Sequence, residues 1–207
     1  MEKTGNLSRV RGVFKEALIW LPFFGFFMHA RGILYVDRTD VNWKNFDAAC
    51  RKLHRKKIPF SMLIYPEGTV MNWALDERNV WEKNRAYARS NGEQPFEYVL
   101  FPRYRGLFRL LKHLRGNTQA LYDFTIIYES TRTGNGFRRR TPSIFDIAAI
   151  AGSAVHIHLR RIDIKDVPEE EEEFKRFLIE RFAFKERLAD SYIAAIASVR
   201  IHPTLLS

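Results

Sequence analysis

The apolar positions in the first third of the chain change period twice. Val10, Val13, Phe14, Ala17, Leu18 and Leu21 recur at helical spacing, with Ser8 placed as a cap and Pro22 as a stop, which predicts a helix over about 9–20. A shorter helix is expected over about 23–30, ahead of Gly32. Ile33-Leu-Tyr-Val36 is then an unbroken apolar run closed by Asp37-Arg38, the pattern of a buried strand. A helical period returns over about 41–56, capped by Asp40. Its inner stripe is Trp43, Phe46, Cys50 and Leu53, and its outer face carries Lys44, Asp47, Arg51, Lys52 and Arg55. Pro59 separates it from a second buried strand, Phe60–Tyr65. Strand, helix and strand in that order predict an α/β domain with parallel pairs.

Beyond Pro66-Glu-Gly68 the pattern predicts a polar helix over about 74–90 that stops at Asn91-Gly92. A short strand, Tyr98–Phe101, a basic helix over about 105–115 and a strand, Leu121–Tyr128, follow. Residues 143–151 have a helical period, and Val155–Leu159 alternates like a strand. A helix then begins at Pro168, with Phe174, Phe177, Phe182 and Leu188 in its stripe. Glu169 to Glu173 stand at the positive end of its dipole. No repeat or linker interrupts the chain, so residues 1–207 are expected to form one α/β domain, a mixed and largely parallel sheet flanked by helices.

Charge narrows the partners. The chain holds 34 Lys+Arg against 24 Asp+Glu, a net +10, which favours an anionic partner such as nucleic acid, a phosphorylated substrate or a membrane surface. No nucleic-acid motif accompanies the charge, so nucleic acid is set aside. The basic set Arg103, Arg105, Arg109, Lys112, Arg115 and Arg138–Arg140 suits anionic headgroups or a solvated face equally. Cys50 is the one cysteine, which excludes a disulfide framework and any zinc site on paired thiolates. Its place in the helix stripe makes it a small buried hydrophobe. The most apolar stretch, Ala17–Met28, is shorter than the roughly 20 residues a spanning helix needs and is broken by Pro22 and Gly25. Its Trp20 and Phe cluster fit a core helix or an interfacial segment.

Two strands end in loops with a shared theme. Glu67-Gly-Thr69 offers a glycine that lets the backbone approach a ligand and a threonine hydroxyl. Arg38 closes the other strand with a guanidinium suited to bidentate phosphate binding. Ligands gather at the carboxyl ends of strands in parallel α/β sheets, so the two loops are expected to converge.

Tyr65-Pro-Glu-Gly-Thr69 resembles the Phe-Pro-Glu-Gly-Thr motif of the acyl-CoA-dependent glycerophospholipid acyltransferases. Gly32-Ile-Leu-Tyr-Val-Asp-Arg38 is similar to that family's second block, and Val99-Leu-Phe-Pro102-Arg-Tyr-Arg-Gly106 to its fourth. The Pro-Arg-x-x-Gly extension, the lead-in Lys15–Gly25 and the strand Tyr122–Thr125 resemble the lysocardiolipin and lysophosphatidylinositol acyltransferase branch. The resemblance runs from about residue 10 to residue 192. It implies acyl transfer from acyl-CoA to a lysophospholipid or lysophosphatidic acid at a membrane surface, of the endoplasmic reticulum or the mitochondrion, with no cofactor or metal. It also implies that Arg38 grips the acceptor phosphate and that Glu67, Gly68 and Thr69 line the glycerol-phosphate site. Gly32, Pro66 and Pro102 would shape the loops and the acyl pocket. Val70 stands where the family commonly has a polar residue.

One departure is large. The family's base is the His of an Asn-His-x-x-x-x-Asp block, and no such block precedes Lys15. The only His-x-x-x-x-Asp match, His158–Asp163, falls in an alternating strand and is read as coincidence. His156 and His158 share one strand face and are read as surface or structural histidines, and His29, His54, His113 and His202 have no carboxylate at a suitable spacing. Asp123 is read as a hydrogen-bonded structural carboxylate. The expectation is an acyltransferase domain without its catalytic pair, and the alternative a non-catalytic lipid-binding or regulatory relative.

Overall fold

Val10–Lys15 is a β-strand (β1), not the helix its apolar spacing predicts. It lies between Leu34–Val36 (β2) and Ser61–Leu63 (β3), with both neighbours parallel. Its first half pairs with β3, Val10 opposite Ser61, and its second half with β2, Val13 opposite Leu34. The physical reason is that Val10, Val13 and Phe14 fit either period, while β-branched valines and Gly12 are weak helix formers. Hydrogen bonds to partners remote in sequence settle the choice. The structure, a computed structural model, describes residues 10–15, 34–36, 43–56, 61–69, 71, 79–128 and 155–200. The expected helices over about 23–30 and 143–151, the segment Ala17–Met28, Val70 and Arg138–Arg140 lie outside these residues.

The described residues mix helix and strand and fall into two compact units. The first comprises Met1–Gly68 and Arg103–Gln119. Here Trp43–Lys56 (α1) follows β2 and leads to β3, the helical crossover that parallel strands require. Its predicted stripe is the buried one: Phe46 is 5% exposed and Cys50 0%. Tyr104–Leu114 (the third helix, α3) packs against α1 and buries Leu107, Leu110, Leu111 and Leu114, which recur at three- and four-residue spacing. Asp47 ties the two helices, taking Arg109 Nη1 at 2.8 Å and lying 3.2 Å from His113 Nε2. Arg109 also lies over the Trp43 ring, 4.8 Å from its centroid. Burial, with Asp47 nearby, pushes the Cys50 thiol up to about 12.

The second unit comprises Thr69–Pro102 and Ala120–Ser207. Val80–Ser90 (α2) ends as predicted at Asn91-Gly92. Gly92 has φ 77°, and the N–H groups of Gly92 and Glu93 return to the carbonyls of Arg89 and Ala88 at 3.0 and 3.1 Å, a Schellman closure. Tyr98–Phe101 is not the expected strand: it joins no sheet, and side chains take its main-chain groups. Ala120–Tyr128 (β4) and Val155–Asp163 (β5) form a separate antiparallel pair, with Phe124 opposite Leu159. Glu171–Arg200 (α4) buries Phe174, Leu178, Phe182, Lys185 and Ala189 at spacings of three and four. Among the described residues no helix is long and apolar enough to cross a membrane.

Candidate functional site

The loop after β3 begins with a tight turn. Gly68 N–H donates to the Tyr65 carbonyl at 3.0 Å, so Tyr65-Pro66-Glu67-Gly68 is a β-turn with proline at its second position. Pro66 presets its own φ, and Glu67 keeps a negative φ, which excludes the type II turn. Gly68 itself sits at φ 71°, where a side chain is strained. A second requirement selects the same glycine. A Cβ there would stand 3.2 Å from Arg103 Cδ and 3.7 Å from its Nε.

Arg103 is held against this turn by main chain as well, since its N–H donates to the Pro66 carbonyl at 2.8 Å. The turn after β3 and the exposed arginine that starts α3 therefore form one piece of the first unit. Glu67 and Gly68 are half-buried, which leaves part of the turn open to solvent. Chemically this is a rigid turn beside a guanidinium, a group whose planar fork matches a phosphate. The sequence placed Arg103 only in a generic basic set. The Pro-Arg step of Pro102-Arg103 carried the signal, but nothing local pointed it at Pro66.

The other predicted site residues fall into two groups. Thr69, half-buried, and Pro102, fully buried, belong to the second unit, each the next residue along the chain from Gly68 and before Arg103. Pro102 follows Phe101, whose ring meets Tyr87 and Phe96 with centroids 6.0 and 5.7 Å away. Arg38, expected to converge on the turn, and Gly32 lie outside the described residues.

The histidine expectations divide as well. His158 and Asp163 are five positions apart on β5, on opposite faces; His158 lies against Phe184, 5.2 Å between ring centroids, and Asp163 pairs with Arg161. His156 lies against Tyr192 at 4.1 Å, so both histidines are structural contacts to α4. His113 corrects the sequence reading: folding brings it to Asp47, a carboxylate that spacing did not reveal. Asp123 is the structural carboxylate expected, 2.6 Å from Lys185 Nζ and 3.1 Å from Arg181 Nη2. Of the basic set, Arg109 is engaged by Asp47 and Trp43 and is part of the helix seam.

The chain is similar in sequence to known proteins. The profile of the family described as Acyltransferase matches residues 1–129, and that described as Acyltransferase C-terminus matches residues 151–195. The chain is similar to the mouse 1-acyl-sn-glycerol-3-phosphate acyltransferase epsilon, 33% identical over 88% of this chain and 50% of the relative. It is similar to lysophosphatidylinositol acyltransferase 10 of Caenorhabditis elegans, 30% identical over 86% of this chain and 44% of the relative. It is also similar to the 2-acyl-1-lysophosphatidylinositol acyltransferase of Saccharomyces cerevisiae, 32% identical over 65% of this chain and 33% of the relative. The chain thus spans half or less of the length of these curated relatives. No solved structure matches it. The Pro-Glu-Gly turn, the arginine packed on it and the profile match over residues 1–129 agree: the chain belongs to the acyltransferase family.

Proposed function

We propose that this chain takes part in moving an acyl group from acyl-CoA to the free hydroxyl of a lysophospholipid or lysophosphatidic acid, at the surface of a membrane such as the endoplasmic reticulum. In that reaction the acceptor oxygen attacks the thioester carbonyl, the new C–O bond forms, the C–S bond breaks, and the CoA thiol leaves. The chain's contribution is the acceptor side. Arg38 and Arg103 supply cationic contacts to the acceptor phosphate, and Glu67, Gly68 and Thr69 line the glycerol-phosphate site. Pro66 and Pro102 shape the loops, with Gly32, toward the acyl chain. No cofactor or metal enters this reading, and acyl-CoA is a substrate. The observation that carries it is the turn at Gly68, kept in a left-handed conformation with Arg103 packed against it. The relatives' names, which specify lysophosphatidylinositol and 1-acylglycerol-3-phosphate acceptors, support the substrate class. The parallel order β2-β1-β3 with α1 as crossover supports an α/β architecture whose sheet is parallel in the first unit and flanked by helices.

A second reading, a non-catalytic lipid-binding or regulatory relative, is favoured by what three of the described histidines do. His113 pairs with Asp47, and His156 and His158 lie on aromatic rings of α4. One set of measurements separates the two. The purified chain is offered oleoyl-CoA with lysophosphatidylinositol or lysophosphatidic acid, product is read by mass spectrometry, and binding of each ligand is measured in parallel. Product formation establishes the enzyme, and binding without product establishes the relative. Arg38→Ala should weaken lysophospholipid binding by roughly 1.5–3 kcal/mol and leave acyl-CoA binding nearly intact, since a charged hydrogen bond is worth about that much. Equal loss of both ligands would remove Arg38 from the acceptor site.

A further inference from the structure

Three consecutive main-chain N–H groups in the second unit converge on one side chain. Oε1 of Glu186 accepts from Glu97 N at 2.6 Å and from Tyr98 N at 3.1 Å. Its Oε2 accepts from Tyr98 N at 2.9 Å and from Val99 N at 3.1 Å. Two residues further on, Phe101 N donates to Asn84 Oδ1 at 2.7 Å, and Asn84 Nδ2 donates back to the Phe101 carbonyl at 3.1 Å. Asn84 is 6% exposed, so this exchange takes place in the core. The segment from Glu97 to Phe101 has no strand beside it, and Glu186 and Asn84 stand where a strand neighbour would.

The choice of a carboxylate has a chemical reason. Three adjacent donors need a group that only accepts and has lone pairs to spare; an ionised carboxylate offers about four such sites, whereas an amide offers two and adds two donors. A row of converging backbone N–H groups is an anion site by construction. Here the anion is the protein's own, carried by α4 and 89 residues away from Glu97. The same stretch of α4 uses Arg181 and Lys185 to grip Asp123 of β4. One helix segment therefore fastens a strand on one side and the loop leading to Pro102 on the other.

We propose that Glu186 is a positioning residue for acyl transfer: it fixes the Glu97–Phe101 segment and with it the backbone that leads into Pro102. This rests on the functional reading above, which assigns the Pro102 loop to the acyl side. Glu186 touches main chain rather than substrate, so its removal should loosen the loop and spoil the fit of the donor without unfolding the unit.

The full chain and its Glu186→Ala and Glu186→Gln variants are compared by hydrogen exchange and by steady-state transfer from oleoyl-CoA to lysophosphatidylinositol. In Glu186→Ala the amides of Tyr98 and Val99 should exchange roughly tenfold faster or more, the equivalent of one lost charged hydrogen bond. Amides of α1, in the first unit, should keep their rates. Transfer should fall by about tenfold or more in kcat/KM for the acyl donor, as expected when a positioning element is misplaced. Glu186→Gln keeps one accepting oxygen and the same shape, so it should recover part of both effects, and it keeps the test alive should the alanine variant fail to fold. Unchanged exchange at Tyr98 and Val99 overturns the proposal, and so does faster exchange with unaltered kcat/KM. A wild-type chain that transfers no acyl group overturns the functional reading instead; the exchange rates tell that case apart, because they still show whether Glu186 orders the loop.

Discussion

Replacing Asp123 by asparagine tests the buried charge cluster that joins α4 to β4. Asp123 Oδ1 lies 2.6 Å from Lys185 Nζ and its Oδ2 lies 3.1 Å from Arg181 Nη2, with side chains 16%, 10% and 13% exposed respectively. Lys185 also donates to the Phe124 carbonyl at 2.6 Å, which fixes where its ammonium sits. Asp123→Asn keeps the shape but removes the only negative charge of this triad, leaving two cations that were desolvated in order to pair. Breaking a buried pair by deleting one partner costs about 3–5 kcal/mol. For a chain of this size each kcal/mol moves Tm by about 2–4 °C, so a fall of about 6–20 °C is expected. Urea denaturation followed by circular dichroism would give the free energy, and calorimetry the Tm. A second variant makes the argument strict. Lys185→Met removes one of the stranded cations, so in the double variant Asp123→Asn/Lys185→Met the two losses should fall short of additivity by about 0.5–3 kcal/mol. A loss below about 1 kcal/mol for Asp123→Asn, or strictly additive losses, would show that the cluster is solvated and that the burial argument is wrong.

Two further predictions concern the first unit. Gly68→Ala should destabilise by about 1–2 kcal/mol for the left-handed backbone alone, and further for the approach to Arg103. Gly92→Ala has the same sign of φ and nothing within 4 Å of the new Cβ, so the difference between the two variants in denaturant isolates the Arg103 contact. Cys50 has its thiol pushed up to about 12 from an ordinary 9.0, so the folded state holds a proton that the unfolded state releases. The associated stability is complete below pH 9 and is lost as pH rises toward 12. In that window the wild type should lose up to about 1.4 kcal/mol per pH unit more than Cys50→Ala, and equal slopes in the two proteins would show that the thiol is not buried in the ionising sense.

The turn at Gly68 was legible because its determinants are local. A proline followed by Glu-Gly at the end of an apolar run specifies a tight turn through φ preferences alone, and that turn is where the chain puts it. What the turn faces was not legible. Arg103 reaches Pro66 through a main-chain hydrogen bond that no pattern of neighbouring residues encodes. The same holds for His113, which acquires Asp47 only because α1 and α3 pack together.

The sequence by itself determined the elements whose stabilising contacts lie within a few residues of one another. The stripe of α1, the end of α2 at Asn91-Gly92 and the acidic start of α4 all follow from a helical period and its caps, and all are present. Tertiary structure decided the segments whose backbone partners are remote. Val10–Lys15 satisfies both the helical and the extended reading until β2 and β3 arrive to hydrogen-bond it, and those bonds make it a strand. Tyr98–Phe101 reads as a strand until Glu186 and Asn84 take its N–H groups, and without a strand beside it the segment stays irregular. Side-chain period records which face is apolar, whereas every main-chain N–H must also find an acceptor. Where that acceptor comes from a distant part of the chain, only folding supplies it.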